Sequence, residues 1–111
     1  MRPNMSSLDF TISCTVTFFS KKMTNPPNLT NGKYSPHIVV KGTEEHIKIN
    51  FIDGEDVIFD QPIRANALPV NEDVDYSSLQ VGMEFFIMED SVIVGAGLVK
   101  EIFQHGPHKK K

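Results

Sequence analysis

Between Leu8 and Ser20 apolar and polar side chains alternate. Phe10, Ile12, Cys14, Val16 and Phe18 fall on one side, and Thr11, Ser13, Thr15 and Thr17 on the other. Successive side chains of an extended chain point to opposite faces, so a period of two predicts a strand with one face in a core. Glu45 to Ile52 repeats the pattern, with Ile47, Ile49 and Phe51 opposed to His46, Lys48 and Asn50. Shorter apolar runs predict strands over Ser35–Val40, Val57–Phe59, Ile63–Val70, Glu84–Met88 and Ser91–Phe103. Asp53-Gly54 and Glu89-Asp90 are expected to turn the chain between strands.

No window carries the apolar spacing of an amphipathic helix. Several short strands with turn signals between them point to an all-β sandwich or barrel, and closure would protect apolar strands from edge pairing. Gly95 and Gly97 lie inside the last strand, where glycine marks a bulge or a close approach of backbone. Residues 21–33 hold Pro26, Pro27, Gly32 and several asparagines, which predicts a long loop without regular structure. The organisation expected is a disordered segment over 1–7, a barrel domain over 8–104 and a flexible basic tail over 105–111.

The 111 residues fit one domain, and the 40% apolar content suffices for a core without disulfides. Cys14 is the single cysteine and sits in the first alternating run, so it is expected to be a buried, inert thiol. The net charge is −3, and three of the eleven basic residues are Lys109, Lys110 and Lys111. The rest of the chain is therefore more acidic still, which disfavours a general nucleic-acid binder. An apolar leader and a membrane-length apolar run are both missing from the sequence, so a cytoplasmic, non-membrane protein is expected. Asn4-Met5-Ser6 and Asn28-Leu29-Thr30 match the glycosylation pattern and read as chance matches in that compartment.

The final hairpin carries a resemblance. Phe86-Ile87-Met88-Glu89-Asp90 followed by Val94-Gly95-Ala96-Gly97-Leu98-Val99 resembles the end of the third domain of elongation factor Tu, whose last strand reads V-G-x-G-x-V. Phe19-Ser20-Lys21-Lys22 is similar to that family's hydrophobic-Ser-Lys strand end. Tyr34-Ser35-Pro36-His37 is similar to its Y-R-P-Q turn, and Leu79 to Phe86 to its L-x-x-G-x-x-F segment. The matches keep their order over residues 10 to 103. The resemblance implies a single closed Greek-key β-barrel of about six strands, with a translation-related role in binding protein and the T-arm of aminoacyl-tRNA. The GTPase that precedes this domain in the family has no counterpart, since the chain lacks a G-x-x-x-x-G-K-[ST] loop, and GTP binding is not expected. Ser35 stands where the family's turn has Arg, and Asp90 and Ser91 where it favours Gly and Arg nearby.

A non-catalytic binding module is the leading expectation, with no cofactor and no metal. Its contact surface is expected to comprise Met23, Pro27 and Leu29 as exposed apolar groups on the long loop, for which packing back onto the barrel is an equally ordinary use, the Tyr34 to His37 turn, and Glu89, Asp90 and Ser91 on the last hairpin. The alternative is tRNA binding through Lys21, Lys22, Lys33 and Lys41 as one positive face. An enzyme is the third reading, but no His, Ser or Cys stands in a catalytic motif. Asp53, Glu55, Asp56 and Asp60 do not match a calcium loop and are expected on a solvated hairpin. Glu72, Asp73 and Asp75 with Tyr76 form a second acidic patch suited to a basic partner, and His105 and His108 are too few to make a metal site.

Overall fold

A computed structural model describes residues 10–70, 76 and 78–104. The expected segments 1–7 and 105–111, His105, His108 and the terminal lysines lie outside those residues. Among the described residues six strands form: β1 (Phe10–Phe18), β2 (His37–Val40), β3 (Ile47–Gly54), β4 (Ile63–Pro69), β5 (Glu84–Glu89) and β6 (Val92–Gln104). They close into an antiparallel barrel in the order β1-β4-β3-β2-β5-β6. Consecutive β2, β3 and β4 are neighbours, and β1 lies beside β4 rather than β2, which is Greek-key topology.

The alternation expected in β1 holds residue for residue: Phe10, Ile12, Cys14, Val16 and Phe18 are buried, and the intervening residues half-exposed. Ile47, Ile49 and Phe51 do the same for β3. Phe18, Phe51 and Phe85 are the bulkiest fully buried side chains, and among the described residues no polar or charged residue is buried with them. Cys14 is buried in the same core. Burial pushes its thiol up to about 12, so it stays protonated and inert at neutral pH.

The strand walls are irregular where β6 crosses its neighbours. Phe18 pairs with Gly95 and Phe85 with Gly97. The register slips by one residue at Val94 against β5 and at Lys100 against β1, so both are bulges. Gly95 and Gly97 are sites of close approach, as expected. A Cβ at Gly95 would stand 2.5 Å from the Thr17 carbonyl oxygen, and one at Gly97 would meet the Phe85 ring.

Three expectations are corrected. Val57–Phe59 is not a strand: it belongs to the connection from β3 to β4, where Val57 and Phe59 pack on the core and Ile58 faces solvent. Three apolar residues are too few to gain a ladder partner, and here they serve as a lid. Asp53-Gly54 is no turn but the end of β3, after a bulge at Ile52. Gly54 is needed because the Leu29 side chain and Ala65 come within 3.0 and 3.2 Å of where its Cβ would be. Leu29 itself is not exposed. It is 2% accessible and part of the core, because the long loop folds back over the barrel mouth.

The seam between β2 and β3 has two register pairs, His37 with Lys48 and Ile38 with Ile47. The incoming loop extends it: Ile49 N donates to Pro36 O at 3.2 Å and Phe51 N to Tyr34 O at 3.0 Å. The segment Tyr34–Pro36 thus completes the wall beside β3.

Candidate functional site

One end of the barrel gathers the termini of three strands and the starts of three others. There β1, β3 and β5 finish, and β2, β4 and β6 begin. The long connection 19–36, the β3–β4 connection 55–62 and the two-residue turn Asp90–Ser91 all emerge at this end. Asp90 takes a left-handed backbone, φ 56°, as the tight turn requires.

Tyr34 holds the centre of this end. Its ring stacks on Phe51, with centroids 5.8 Å apart, and meets Phe18 edge-on at 6.0 Å. Its hydroxyl donates to Glu89 Oε2 at 2.7 Å. Burial, the hydrogen bond to Glu89 and the Glu89 charge all raise the Tyr34 pKa far above the phenol range, so the hydroxyl remains a donor. Two segments separated by 55 residues in sequence are joined by this bond. Beside it opens a cleft of about 240 Å³ walled by Tyr34, Pro36, His37, Lys48, Met88, Glu89 and Asp90, among others. His37 also meets His46 edge-on, 6.1 Å between centroids.

The loop has its own scaffold. Asn28 Oδ1 accepts from Thr30 N at 2.8 Å and Asn31 N at 3.2 Å, and Asn31 Oδ1 accepts from Lys33 N at 3.0 Å. These are consecutive Asx turns, in which a side-chain oxygen takes the place of a backbone acceptor. The Asn50 amide, oriented by its neighbours, donates to Gly32 O at 3.1 Å and Tyr34 O at 3.3 Å. Met23 is half-buried against the core. Pro27 is half-buried and lines a second cleft with Pro26, Thr30, Glu55 and Asp56.

A clamp ties β1 to the β3–β4 connection. Ser20 Oγ donates to Asp60 Oδ2 at 2.6 Å, Ser20 N to Asp60 Oδ1 at 3.1 Å, and Asp60 N to Phe18 O at 2.8 Å. The Ser20 hydroxyl bond first, its backbone bond second, and the nearby Lys21 hold the Asp60 carboxyl below its ordinary range. A depressed folded-state pKa contributes stability above the unfolded value, and this is lost as pH falls through the folded one. Following carboxyl carbons by NMR during acid titration should show Asp60 titrating below the ordinary aspartate value. Ser20→Ala should return it towards that value, and an unchanged midpoint would contradict the clamp.

Of the eight expected contact residues, Tyr34, His37, Glu89 and Asp90 share one cleft, and Ser91 adjoins it on the turn. Met23 and Pro27 lie on the loop at the same end, whereas Leu29 points inward. The four lysines do not share a face. Lys21, Lys22 and Lys33 are at this end, but Lys41 follows β2 at the opposite one. There its Nζ pairs with Glu84 Oε1 at 2.6 Å and lies 5.6 Å from the Phe86 ring centre.

Sequence reasoning did not single out Ser20, Asn50 or Lys48. The Ser-Lys strand end was the only signal for Ser20, while Asn50 and Lys48 look like ordinary outward-facing strand residues. Glu72, Asp73 and Asp75 lie outside the described residues. Tyr76 does not serve an exposed patch: it is buried, and its hydroxyl bonds to Lys48 O at 2.9 Å and accepts from Val70 N at 3.0 Å.

Among the described residues no three His, Cys, Asp or Glu side chains converge in a metal-binding group. No helix among them is long and apolar enough to cross a membrane. In sequence comparison no family model matches the chain, and no curated protein matches it.

Proposed function

We propose that this protein is a non-catalytic binding module that docks a protein partner on the barrel end around Tyr34. The reading takes the likeness to the third domain of elongation factor Tu as a guide to use: a barrel for contact, without nucleotide chemistry. The observation that carries it is the Tyr34–Glu89 hydrogen bond, which fuses two independently expected contact segments into one cleft wall. A rigid barrel supporting a loop, a turn and a cleft is how binding surfaces are commonly built.

The charge at this end indicates the partner's chemistry. Asp53, Glu55, Asp56, Asp60, Glu89 and Asp90 outnumber Lys21, Lys22, Lys33, Lys48 and Arg64 by one. The small acidic excess favours a protein surface that offers Lys and Arg over a phosphate backbone. The placement of Lys41 at the other end, paired with Glu84, also removes one cation from the tRNA reading.

The test uses the full chain as bait in extract from its native cell, beside the double variant Asp56→Lys/Asp90→Asn. Asparagine tolerates the left-handed backbone at position 90, so the turn survives. The expected result is a protein captured by the wild type and lost by the variant, with no aminoacyl-tRNA bound even at low salt. Equal capture by both baits would refute docking at this end. Tight tRNA binding that weakens steeply with salt would replace the reading with the RNA one.

A further inference from the structure

Asparagine followed by glycine has an inherent chemistry. The glycine nitrogen can attack the asparagine side-chain carbonyl carbon, because no Cβ hinders its approach. Asn31-Gly32 is the one such pair in this sequence. Asn25 precedes Pro26, which has no N–H, and Asn50 and Asn66 are held within β3 and β4.

Four observations meet at this pair. Both residues are exposed on the long loop. The Gly32 N–H makes no hydrogen bond among the described residues, so the attacking nitrogen is not tied up. Gly32 has φ +74° with nothing within 4 Å of a built Cβ, so no neighbouring group crowds the glycine. The fourth concerns the electrophile. Lys33 N–H donates to Asn31 Oδ1 at 3.0 Å, which polarises that carbonyl and would hold the negative oxygen formed on attack.

We infer that Asn31 is a site of self-modification by deamidation. The Gly32 nitrogen bonds to the Asn31 side-chain carbonyl carbon. The proton it loses passes through water to the departing amide, which leaves as ammonia when its C–N bond breaks. The cyclic imide that results is opened by one water at either carbonyl. One opening yields an aspartate at position 31, and the other an iso-linked aspartate whose side-chain carbon has entered the main chain.

The two products differ in consequence. The ordinary aspartate still offers an oxygen to Lys33 N–H and adds one negative charge to an end already acidic. The iso-linked product lengthens the backbone between the Asn28 turn and the segment that Asn50 holds at Gly32 O and Tyr34 O. It therefore displaces the stretch that leads into Tyr34 and the cleft. The loop carries a chemical clock that changes the charge of this face by one route and its shape by the other.

The test is storage of the full chain in mildly alkaline buffer at body temperature, with peptide mass spectrometry and enzymatic methylation of iso-linked aspartate over time. A second sample is kept unfolded in urea. The expected result is a gain of a single mass unit confined to the peptide holding residues 31 and 32, with iso-linked product, at a rate near that of the unfolded chain. Asn31→Gln should abolish it, since the larger ring closes far more slowly. Slowing on folding by more than about tenfold, or about 1.4 kcal/mol of added barrier, would overturn the inference that the fold leaves this pair open. So would modification appearing first at another asparagine.

Discussion

Gly95→Ala is expected to cost about 3 kcal/mol, the upper part of the usual range for overpacking. The added methyl would sit 2.5 Å from the Thr17 carbonyl oxygen, which is main chain and cannot rotate away. Relief requires β1 and β6 to separate, where Phe18 pairs with Gly95 and Phe19 N donates to Val94 O at 2.9 Å. Gly97→Ala tests the same crowding against a side chain. Its obstacle is the Phe85 ring, which covers the glycine from the opposite strand. Phe85→Leu should therefore offset part of the Gly97→Ala loss, making the double variant more stable than the sum of the single effects. No truncation of Thr17 should rescue Gly95→Ala. Urea unfolding of the wild type and these variants measures all of this, and a Gly95→Ala midpoint equal to wild type would show that the strands are not in close approach.

Phe51→Ala is expected to cost about 3–5 kcal/mol, the range for removing a fully buried aromatic ring. Phe51 is 0% accessible and bears the stacked Tyr34 ring. The loss should reach the surface as well as the core. Without its support Tyr34 loses a packing partner worth about 1 kcal/mol beyond buried area, and the Tyr34–Glu89 bond should loosen. Tyr34→Phe keeps the ring and removes only the hydroxyl, at a cost of about 1 kcal/mol. Comparing the two by unfolding and by the NMR shifts of the Asp90–Ser91 turn separates support from bond. A Phe51→Ala loss near that of Tyr34→Phe would mean that the ring does not bear on the site.

The strands were legible because a period of two is hard to produce otherwise. In β1 and β3 the sequence pattern and the observed burial agree position by position. What escaped was decided by contacts remote in sequence. Leu29 is an isolated apolar residue among prolines and asparagines, and its direction depends on the gap left by Gly54 across the mouth. Asp53-Gly54 has the composition of a hairpin turn, yet Glu55 N bonds to Arg64 O at 2.9 Å, which carries the pairing past the glycine. The bulges at Ile52, Val94 and Lys100 have no residue signature of their own. Gly95 and Gly97 betrayed that something unusual happens in β6 without saying where the register slips. Half of the contact end was legible for a similar reason. Tyr34, His37, Glu89 and Asp90 lie at a turn and a strand end, where sequence marks exposure, while their convergence is a product of closure.

Closure also restricts how anything can be recognised. Among the described residues each strand has neighbours on both flanks, so where the wall is closed an extended peptide finds no row of free amides and carbonyls on which to lie down as a seventh strand. A generic main-chain grip, indifferent to the guest's identity, is denied there. On the proposed binding role, selectivity rests on side chains of a few connecting residues, and altering those few would redirect the protein to a new guest while leaving its walls as they are.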